Sequence, residues 1–499
     1  MPFVNNVPFF SIFIAMIAGV LMPLIKDGRK AFRVTEAATV LIGGLSAWLL
    51  CATVASGESF TYMMGHYPAP WGNELRAGVL EAMLSLVFCV VMVLSLEGGR
   101  RDLFDDISER KQHNYCLMLN LMLASLLALI YTNDVFTAYV FIEINAITAC
   151  AIVMARRPGQ SLVAAVRYLV ISCVGSGLFL MGITLLYTCT GQLLMPGMDK
   201  AVQALAATGQ YRVPLLIAVA LVTMGLAIKS ALFPFYGWLP NAYASATTSG
   251  SAVQSGLISK GYVILLIKLI YRVFTLEVMG DLHILQVLFV LGLIGMIIAS
   301  VRAYQEQSTK RMLGFSSAAQ VAYIFMGVGL GSHVGMVAAC YQILAHTVTK
   351  PLLFTSAGVL IRSGHGKKEL SALRGTARKN PLAGIAFTIG GLSLCGLPLL
   401  AGFAAKYYLG LAAMGDPTKM LFALLVLAGS SVLNAMYYLP AIVGIWFPHE
   451  PSHEEPIAVE KEDMGFIVST VVFLILNVIL GVAIRPVIEL IELGLGMLG

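Results

Sequence analysis

Long runs of apolar residues, separated by short polar stretches, fill the chain from end to end. A helix needs about 20 apolar residues to cross the hydrocarbon core of a bilayer, and most of these runs reach that length. The chain is therefore expected to be an all-α polytopic membrane protein. The pattern predicts about fourteen transmembrane helices, at residues 8–25, 34–54, 75–96, 114–132, 134–155, 161–188, 213–233, 249–273, 284–304, 309–332, 335–361, 380–415, 420–446 and 464–486.

Two of the predicted helices contain signals for a break in mid-membrane. Pro234 and Pro240 interrupt the seventh helix, and the Leu397-Pro398 pair interrupts the twelfth. Proline removes a backbone donor and clashes with the preceding turn, so each break is expected to free polar backbone groups. Broken helices at matching positions are typical of inverted repeats with an ion path between them. Because the breaks lie five helices apart, we expect two inverted five-helix repeats, over helices 4–8 and 9–13.

These repeats divide the sequence into four segments. They are three N-terminal transmembrane helices (1–112), the first repeat (113–274), the second repeat (275–447), and an acidic loop with the last transmembrane helix (448–499). The first apolar run has no basic residues before it and no small-residue cleavage site, so we expect it to be retained as a helix.

Composition and charge agree with a membrane protein and predict its orientation. Hydrophobic residues make up 58% of the 499 positions and charged residues 12%, whereas soluble domains carry about 25% charged residues. Twenty basic residues fall in loops that follow odd-numbered helices, and five fall in loops on the other side. By the positive-inside rule, both termini are then expected on the outer side of the inner (plasma) membrane. The formal charge of +6 follows from this asymmetry and does not indicate a nucleic-acid partner.

The sequence contains no motif for a metal, a cofactor or an enzymatic nucleophile. Its eight cysteines are scattered without a C-x-x-C pair, which disfavours an iron–sulfur or zinc site. A Walker motif, a nucleophile elbow and a haem ligand pair are also missing from the sequence. We expect no cofactor, no metal and no redox chemistry within this chain.

Charged residues inside predicted helices are the main chemical signal, because a lysine in mid-membrane costs at least roughly 2.5 kcal/mol. Burial favours the neutral amine, and a nearby carboxylate favours the ammonium. A change in the electrostatic effect of that carboxylate can therefore make a lysine bind or release a proton. Structural ion pairs or snorkelling side chains would explain single residues but leave several charges unsatisfied. The candidates are Lys229, Lys260, Lys268, Lys350, Lys406 and, in the fifth helix, Glu143.

Two pairs of these residues share a helix face. His346 and Lys350 are spaced i,i+4, which suits a proton carrier, although a hydrogen-bonded packing histidine is the alternative. Lys260 and Lys268 lie about 12 Å apart along one helix, close enough for a water chain bridged by Ser and Thr hydroxyls. Glu81, near the outer end of the third helix, is better explained by reaching the interface than by a functional role.

Six segments carry a family resemblance: FIEINAITA, IKSALFPFYGWLPNA, SGLISKGYVILLIK, STKRMLGFSSAAQVAYI, HTVTKPLLF and GLPLLAGFAAKYYL. In these motifs the chain resembles the antiporter-like subunits of respiratory complex I, of Mrp cation/proton antiporters and of membrane-bound hydrogenases, most closely the D-type subunit of Mrp antiporters. The resemblance covers nearly the whole chain and is most specific from residue 130 to residue 410.

The resemblance implies a proton route along the membrane midplane. It would start from the cytoplasm near Lys260, pass through Lys229 and leave by Lys406. Three positions depart from the family pattern, Tyr236, Asn241 and Gln320, and they affect the cytoplasmic access route rather than the central lysines. The implied relay residues are Glu143, Lys229, Lys260, His346, Lys350 and Lys406, with Lys268, where an arginine is common, as a weaker member.

The resemblance also implies partners and leaves alternatives open. The partners would be other membrane subunits, including further antiporter-like subunits, a peripheral redox module of the NADH dehydrogenase or hydrogenase type, lipid, and protons with or without Na+. One alternative is the D-type subunit of an Mrp Na+/H+ antiporter without a redox module. Another is a stand-alone secondary transporter, which would need a substrate cavity instead of a narrow polar line.

Overall fold

The computed structural model describes residues 3–67, 71–156, 159–448 and 461–498, most of them helical. Most of the predicted acidic loop, residues 449–460, lies outside the described residues. The first helices are α1 (Val7–Leu21), α2 (Gly28–Ser56), α3 (Val79–Gly98), α4 (Arg100–Asp106), α5 (Glu109–Tyr131), α6 (Val135–Met154), α7 (Gln160–Thr190), α8 (Met195–Thr208), α9 (Arg212–Lys229), α10 (Leu239–Ser245), α11 (Thr248–Val253) and α12 (Ser259–Leu269). The later helices are α13 (Leu276–Asp281), α14 (Ile284–Gln305), α15 (Thr309–Gly329), α16 (His333–Ser363), α17 (Thr376–Lys379), α18 (Pro381–Cys395), α19 (Ala401–Met414), α20 (Pro417–Trp446), α21 (Met464–Val482) and α22 (Ile484–Gly496).

Shorter elements complete the fold. The strands β1 (Phe60–Met63) and β2 (Glu74–Ala77) form an antiparallel hairpin in which Phe60 pairs with Ala77. The π-helical segments are Gln254–Ile258 and Ile270–Phe274. The 3₁₀ segments are Val4–Asn6, Met22–Leu24, Met64–His66, Phe235–Trp238 and Leu370–Leu373.

Twelve helical spans in the described part of the chain are long and apolar enough to cross a membrane. This confirms the prediction of an all-helical polytopic membrane protein. Each of the fourteen predicted segments contains a helix, although 75–96 begins in strand β2 and 213–233 extends beyond the end of α9. Two of them are not continuous α-helices, since π turns interrupt 249–273 and a break divides 380–415. The total of fourteen crossings and the two inverted repeats stay predictions.

The second helix begins earlier than the apolar pattern predicts. It starts at Gly28 rather than at residue 34, because the Asp27 side chain accepts hydrogen bonds from the backbone N–H groups of Arg29 and Lys30. A side-chain cap of this kind satisfies backbone donors that the first turn cannot pair. Basic residues expected in a loop therefore lie in the first turns of α2.

The break in the predicted seventh helix begins at its lysine. The last residue of α9 is Lys229, and Ala231 takes a positive φ of 64°. Pro234 lies within the break, while Pro240 occupies the first turn of α10. The first helical turn is where proline is tolerated, because its missing N–H would be unpaired there anyway. Pro240 thus starts the second half of the broken helix rather than ending the first half.

The break in the predicted twelfth helix lies where the sequence places it. The chain leaves α18 at Gly396 with a φ of 100° and resumes as α19 at Ala401. Gly402 allows the two halves to meet closely, since a Cβ atom there would lie 2.0 Å from the carbonyl oxygen of Ser393. The last carbonyl groups of α18 are left free of helical partners inside the protein.

The helices α12, α15 and α16 form the interior of the protein. Every residue of α12 is buried, and the most apolar stretches of α15 and α16, long enough to cross a membrane, are also completely buried. Around them, α2, α20 and α21 expose large apolar side chains, including Trp48, Phe422 and Val468. Exposed apolar faces on a ring of outer helices are suited to lipid or to neighbouring membrane subunits. The polar residues described next lie within this shell.

Candidate functional site

Lys229 and Glu143, predicted from sequence to act together, lie side by side. The Lys229 amine is 3.8 Å from Glu143 Oε1 and donates a hydrogen bond of 2.9 Å to Ser172 Oγ. Glycines allow α7 and α9 to approach here, because a Cβ atom on Gly175 would lie 3.0 Å from the carbonyl oxygen of Gly225. At this point the Lys229 amine, at the end of α9, lies between the Glu143 carboxylate on α6 and the Ser172 hydroxyl on α7.

Glu143 is the member of this pair that reaches the surface of the chain. Its side chain is 30% exposed, whereas that of Lys229 is 1% exposed. Glu143 is therefore only partly buried, because α6 turns Ile142 and Ala146 inward and leaves Glu143 at the edge. Oε1 alone is buried, facing the amine. The pair therefore links the interior to one side of the subunit.

Lys260 lies in the interior, where a widened helical turn provides its acceptor. Its amine donates a hydrogen bond to the carbonyl oxygen of Ser255, five residues earlier in the π segment. A π turn leaves a carbonyl group without its usual α-helical partner, and such turns are frequent at functional sites. The prediction of a regular eighth helix missed this feature, since π turns have no clear sequence pattern.

His346 lies on α16, one turn before Lys350. It is fully buried, and neither ring nitrogen has a hydrogen-bond partner among the described residues. A packing histidine would need such a partner, because buried polar side chains are nearly always hydrogen-bonded. The role of His346 as a proton carrier stays a prediction.

Lys350 is held at the junction of α15, α16 and α20. Its amine donates to the Leu313 carbonyl oxygen at 3.1 Å and to the Tyr438 hydroxyl at 3.2 Å, and it lies 5.9 Å from the centre of that tyrosine ring. Pro351 follows directly and removes one backbone donor from the interior of α16. The Lys350 amine thus contacts two other helices, α15 and α20, of the second predicted repeat.

The Lys406 side chain, on the second half of the broken helix, binds the end of the first half. Its amine donates to the carbonyl oxygens of Leu394 and Cys395, at 2.8 and 3.2 Å, and to Ser431 Oγ at 3.0 Å. It also lies 5.4 Å from the centre of the Tyr323 ring. These carbonyls end α18, where the helix dipole is negative and favours a cation. The sequence-predicted break therefore creates the binding site for the sequence-predicted lysine.

Lys268 lies apart from the other predicted lysines. Its amine donates to the Ile130 carbonyl oxygen at 2.7 Å and is 3.8 Å from Glu81 Oε1, which Arg76 also contacts at 2.7 Å. All three charged side chains are almost completely buried. The interpretation of Glu81 as a residue reaching the interface is wrong, because its side chain is buried, accepts hydrogen bonds from Arg76 and from the Gly78 N–H, and forms an ion pair with Lys268.

A buried polar cluster at the start of α11 was missed by sequence reasoning. Lys310, in the first turn of α15, is 3% exposed and lies 3.4 Å from Thr248 Oγ1. Thr248 donates in turn to Asp102, which also pairs with Arg362. In the nearby loop, burial and then the charge of Arg156 lower the pKa of Lys368. The position of Lys310 beside an obvious basic loop hid its burial.

The three departures from the family pattern lie on α15, in the break after α9 and on α10. Gln320 is buried on α15 and accepts a 2.7 Å hydrogen bond from Gln342. Tyr236 packs against Phe233 and Phe315 in the break after α9. Asn241 lies on α10, partly buried.

The relay residues are not all joined directly. Among the described residues no hydrogen bond connects Lys229 with Lys260. Instead the Lys229 amine lies 5.7 Å from the ring centre of Tyr262, which follows Lys260 closely on α12, and Tyr262 donates to Asn145 Oδ1 at 2.8 Å. Within the described ranges no group of three or more His, Cys, Asp or Glu side chains is arranged to hold a metal ion.

Comparison with known proteins identifies relatives of this chain by sequence. A sequence model described as NADH:quinone oxidoreductase/Mrp antiporter, transmembrane, matches residues 132–433. The chain is 33% identical to NADH-quinone oxidoreductase subunit N of Desulforudis audaxviator, over 86% of this chain and 84% of that protein. It is 28% identical to the D-type subunit of the Na(+)/H(+) antiporter of Alkalihalophilus pseudofirmus, over 97% of this chain and 95% of that protein.

Two solved complexes contain chains of the same fold. A chain of the membrane-bound sulfane sulfur reductase, an archaeal respiratory membrane complex, matches with a TM-score of 0.86 at 24% identity, covering 99% of this chain and 96% of that one. A chain of the Mrp complex from Dietzia sp. matches with a TM-score of 0.85 at 22% identity, covering 100% of this chain and 98% of that one.

Proposed function

Because the chain belongs to the NADH:quinone oxidoreductase/Mrp antiporter family of antiporter-like membrane subunits, we propose that it carries protons across the membrane along its buried lysines. The parent assembly is a multisubunit ion-pumping complex in which other membrane subunits are its partners. In this proposal protons reach Lys260 from the cytoplasm, exchange with Lys229, continue past His346 and Lys350, and leave by Lys406.

The ion pair between Lys229 and Glu143 is the observation that carries this proposal. At 3.8 Å the carboxylate favours the ammonium form of the amine, and an increase in that distance favours the neutral form. Glu143 is also the partly exposed member of the pair, so a neighbouring subunit can alter its position or charge. Partner-controlled movement of one carboxylate is then sufficient to make Lys229 release its proton.

The orientation and the repeats form part of the same proposal. Both termini would lie on the outer side of the plasma membrane, in agreement with the loop charges. The helices from α5 to α12 and from α14 to α20 would form the two inverted repeats, over 113–274 and 275–447. In support, each repeat contains one broken helix, and Lys229 and Lys406 are bound at the two breaks.

Two versions of the proposed function differ in the reaction that drives proton transport. A peripheral redox module of the NADH dehydrogenase or hydrogenase type would supply energy in the first version. In the second, the complex exchanges Na+ for protons without redox chemistry, which is favoured by the likeness to the D-type antiporter subunit over 97% of the chain. A stand-alone transporter is the third version, and the need for partners at Glu143 argues against it.

Everted vesicles from cells that produce the complete complex provide the test, with the pH gradient followed by quenching of acridine orange. Addition of NADH or of hydrogen should build the gradient in the redox version, and a pulse of Na+ should dissipate an existing gradient in the antiporter version. Lys229→Ala and Glu143→Ala should abolish either response while the complex still assembles. A control, Lys200→Ala on the surface helix α8, should behave as the unmodified protein. Wild-type responses in both relay variants would contradict the proposal.

A further inference from the structure

A line of hydroxyl groups connects the last two lysines of the proposed route. Tyr438 Oη lies 3.2 Å from the Lys350 amine and 3.0 Å from Ser316 Oγ. Ser316 lies 2.9 Å from Tyr437 Oη, which lies 2.6 Å from Asn434 Oδ1. Every one of these distances falls within the ordinary range of a hydrogen bond.

The line reaches Lys406 through a shared acceptor. Asn434 Nδ2 donates to the Leu394 carbonyl oxygen at 3.2 Å, and the Lys406 amine donates to the same oxygen at 2.8 Å. Tyr437, Tyr438, Ser316 and Asn434 are all buried, with exposures between 0% and 4%. The line therefore runs through the interior of the second half of the protein, from α16 across α15 and α20 to α19.

Proton counting fixes part of the direction of the hydrogen bonds along the line. A lysine ammonium only donates, so Tyr438 accepts from Lys350 and its own proton is available to Ser316. The Tyr437 hydroxyl lies within donating distance of both Ser316 Oγ and Asn434 Oδ1, and its single proton serves one of them at a time. The hydroxyls of Tyr437 and Ser316 must therefore rotate for a proton to move along the line by successive short transfers.

We propose that the hydroxyls of Tyr438, Ser316 and Tyr437 are the proton relay between Lys350 and Lys406. This inference rests on the proposed proton-carrying function. The Lys350 ammonium gives its proton to Tyr438 and becomes a neutral amine, while each hydroxyl passes one proton on. The Tyr437 hydroxyl then turns from Asn434 to one water molecule, gives it a proton while accepting one from Ser316, and that water passes a proton to the neutral Lys406 amine, which becomes an ammonium. The hydroxyls keep their number of protons and must rotate before the next transfer.

Single-hydroxyl variants of the complete complex test this relay in the vesicle assay. Tyr438→Phe and Tyr437→Phe keep the rings and remove only the hydroxyls, and each should lower proton transport per assembled complex by about tenfold or more. Tyr341→Phe is the matched control, because its buried hydroxyl contacts only the Leu480 carbonyl oxygen. That control should transport as the unmodified complex does.

A double variant separates a relay from independent structural contacts. Hydroxyls that act in series are lost together, so Tyr437→Phe with Tyr438→Phe should transport no worse than either single variant. Losses that multiply in the double variant would overturn the proposal. If the tyrosine variants do not assemble, Ser316→Ala and Ser316→Thr decide, since only the threonine keeps a hydroxyl and should restore transport.

The outcome for the relay is distinguishable from the outcome for the function. Wild-type transport in the three hydroxyl variants, with no transport in Lys229→Ala, would overturn the relay and leave the proton-carrying function in place. Wild-type transport in Lys229→Ala as well would overturn both. Loss of transport in the hydroxyl variants, with equal losses in the single and double variants, is the result that we expect.

Discussion

Lys406 donates a 2.8 Å hydrogen bond to the carbonyl oxygen of Leu394, the residue next to the end of the helix that breaks before it. A helix break and a buried lysine, each costly alone, therefore stabilise one another in the interior. The free carbonyl groups need donors, and the amine needs acceptors in a region without bulk water. The same principle applies to Lys260 and the π turn at Ser255.

The close contact at Gly402 should be essential for this break. Gly402→Ala would place a Cβ atom 2.0 Å from the Ser393 carbonyl oxygen, so the two half-helices must move apart. We expect a loss of about 1–3 kcal/mol in stability, as for other overpacked interiors. Thermal unfolding of the purified complex in detergent measures the change.

Gly410→Ala provides the matched control for that variant. It lies on the same helix, α19, and its added Cβ atom would meet its nearest neighbour, Leu424, at 3.7 Å, an ordinary contact. We expect unchanged or slightly higher stability, because alanine favours a helix more than glycine does. Equal destabilisation by both substitutions would contradict the structural role of Gly402.

The sequence was sufficient to predict the helical class, the two breaks and the burial of the central lysines. Apolar runs and prolines report on those features directly. The exposure of Glu143 could not be predicted, because hydropathy does not show which face of α6 meets the rest of the protein. The burial of Lys310 could not be predicted for a similar reason: a basic residue at a helix end has the same local sequence whether the end is buried or solvated.

The buried pair of Arg76 and Glu81 should contribute strongly to stability. Arg76→Ala would leave Glu81 with the Gly78 N–H and the more distant Lys268, and removal of one partner from a buried pair costs about 3–5 kcal/mol. The N–O distance in the pair is 2.7 Å and both side chains are less than 5% exposed. Unfolding of the assembled complex in increasing detergent or heat should show this loss.

An exposed pair of the same chemistry serves as its control. Arg485 and Glu489 are 2.9 Å apart, with side chains 90% and 60% exposed. Arg485→Ala is expected to change stability by less than about 1 kcal/mol, because solvent screens such pairs. If Arg76→Ala were as mild as Arg485→Ala, the buried cluster would have no structural role.

The carbonyl groups that bind Lys260 and Lys406 explain a further limit of sequence reasoning. The amines were predicted from their place in apolar helices, and Ser and Thr hydroxyls with water were expected beside Lys260. Backbone oxygens at a π turn and at a helix end accept from Lys260 and Lys406, and Ser431 Oγ also accepts from Lys406. Such acceptors are present at every position of a sequence, so only the backbone geometry shows which ones are free.

Ser172 should adjust the Lys229 amine without being indispensable. Ser172→Ala removes its 2.9 Å hydrogen bond and leaves the ion pair with Glu143 in place. We expect proton transport to fall several-fold, and Ser172→Thr, which keeps the hydroxyl, to retain most of it. Initial rates of acridine orange quenching, normalised to the amount of assembled complex, measure the difference. Complete loss in both variants would indicate a packing defect instead.

The most direct test of the account compares four single variants in one vesicle preparation: Lys229→Ala, Lys260→Ala, Lys350→Ala and Lys406→Ala. If protons pass through all four amines in series, each variant should reduce coupled proton transport to the same background rate while the complex stays assembled. Transport at the unmodified rate in any one of them would contradict a route through that lysine, and in all four would contradict the account.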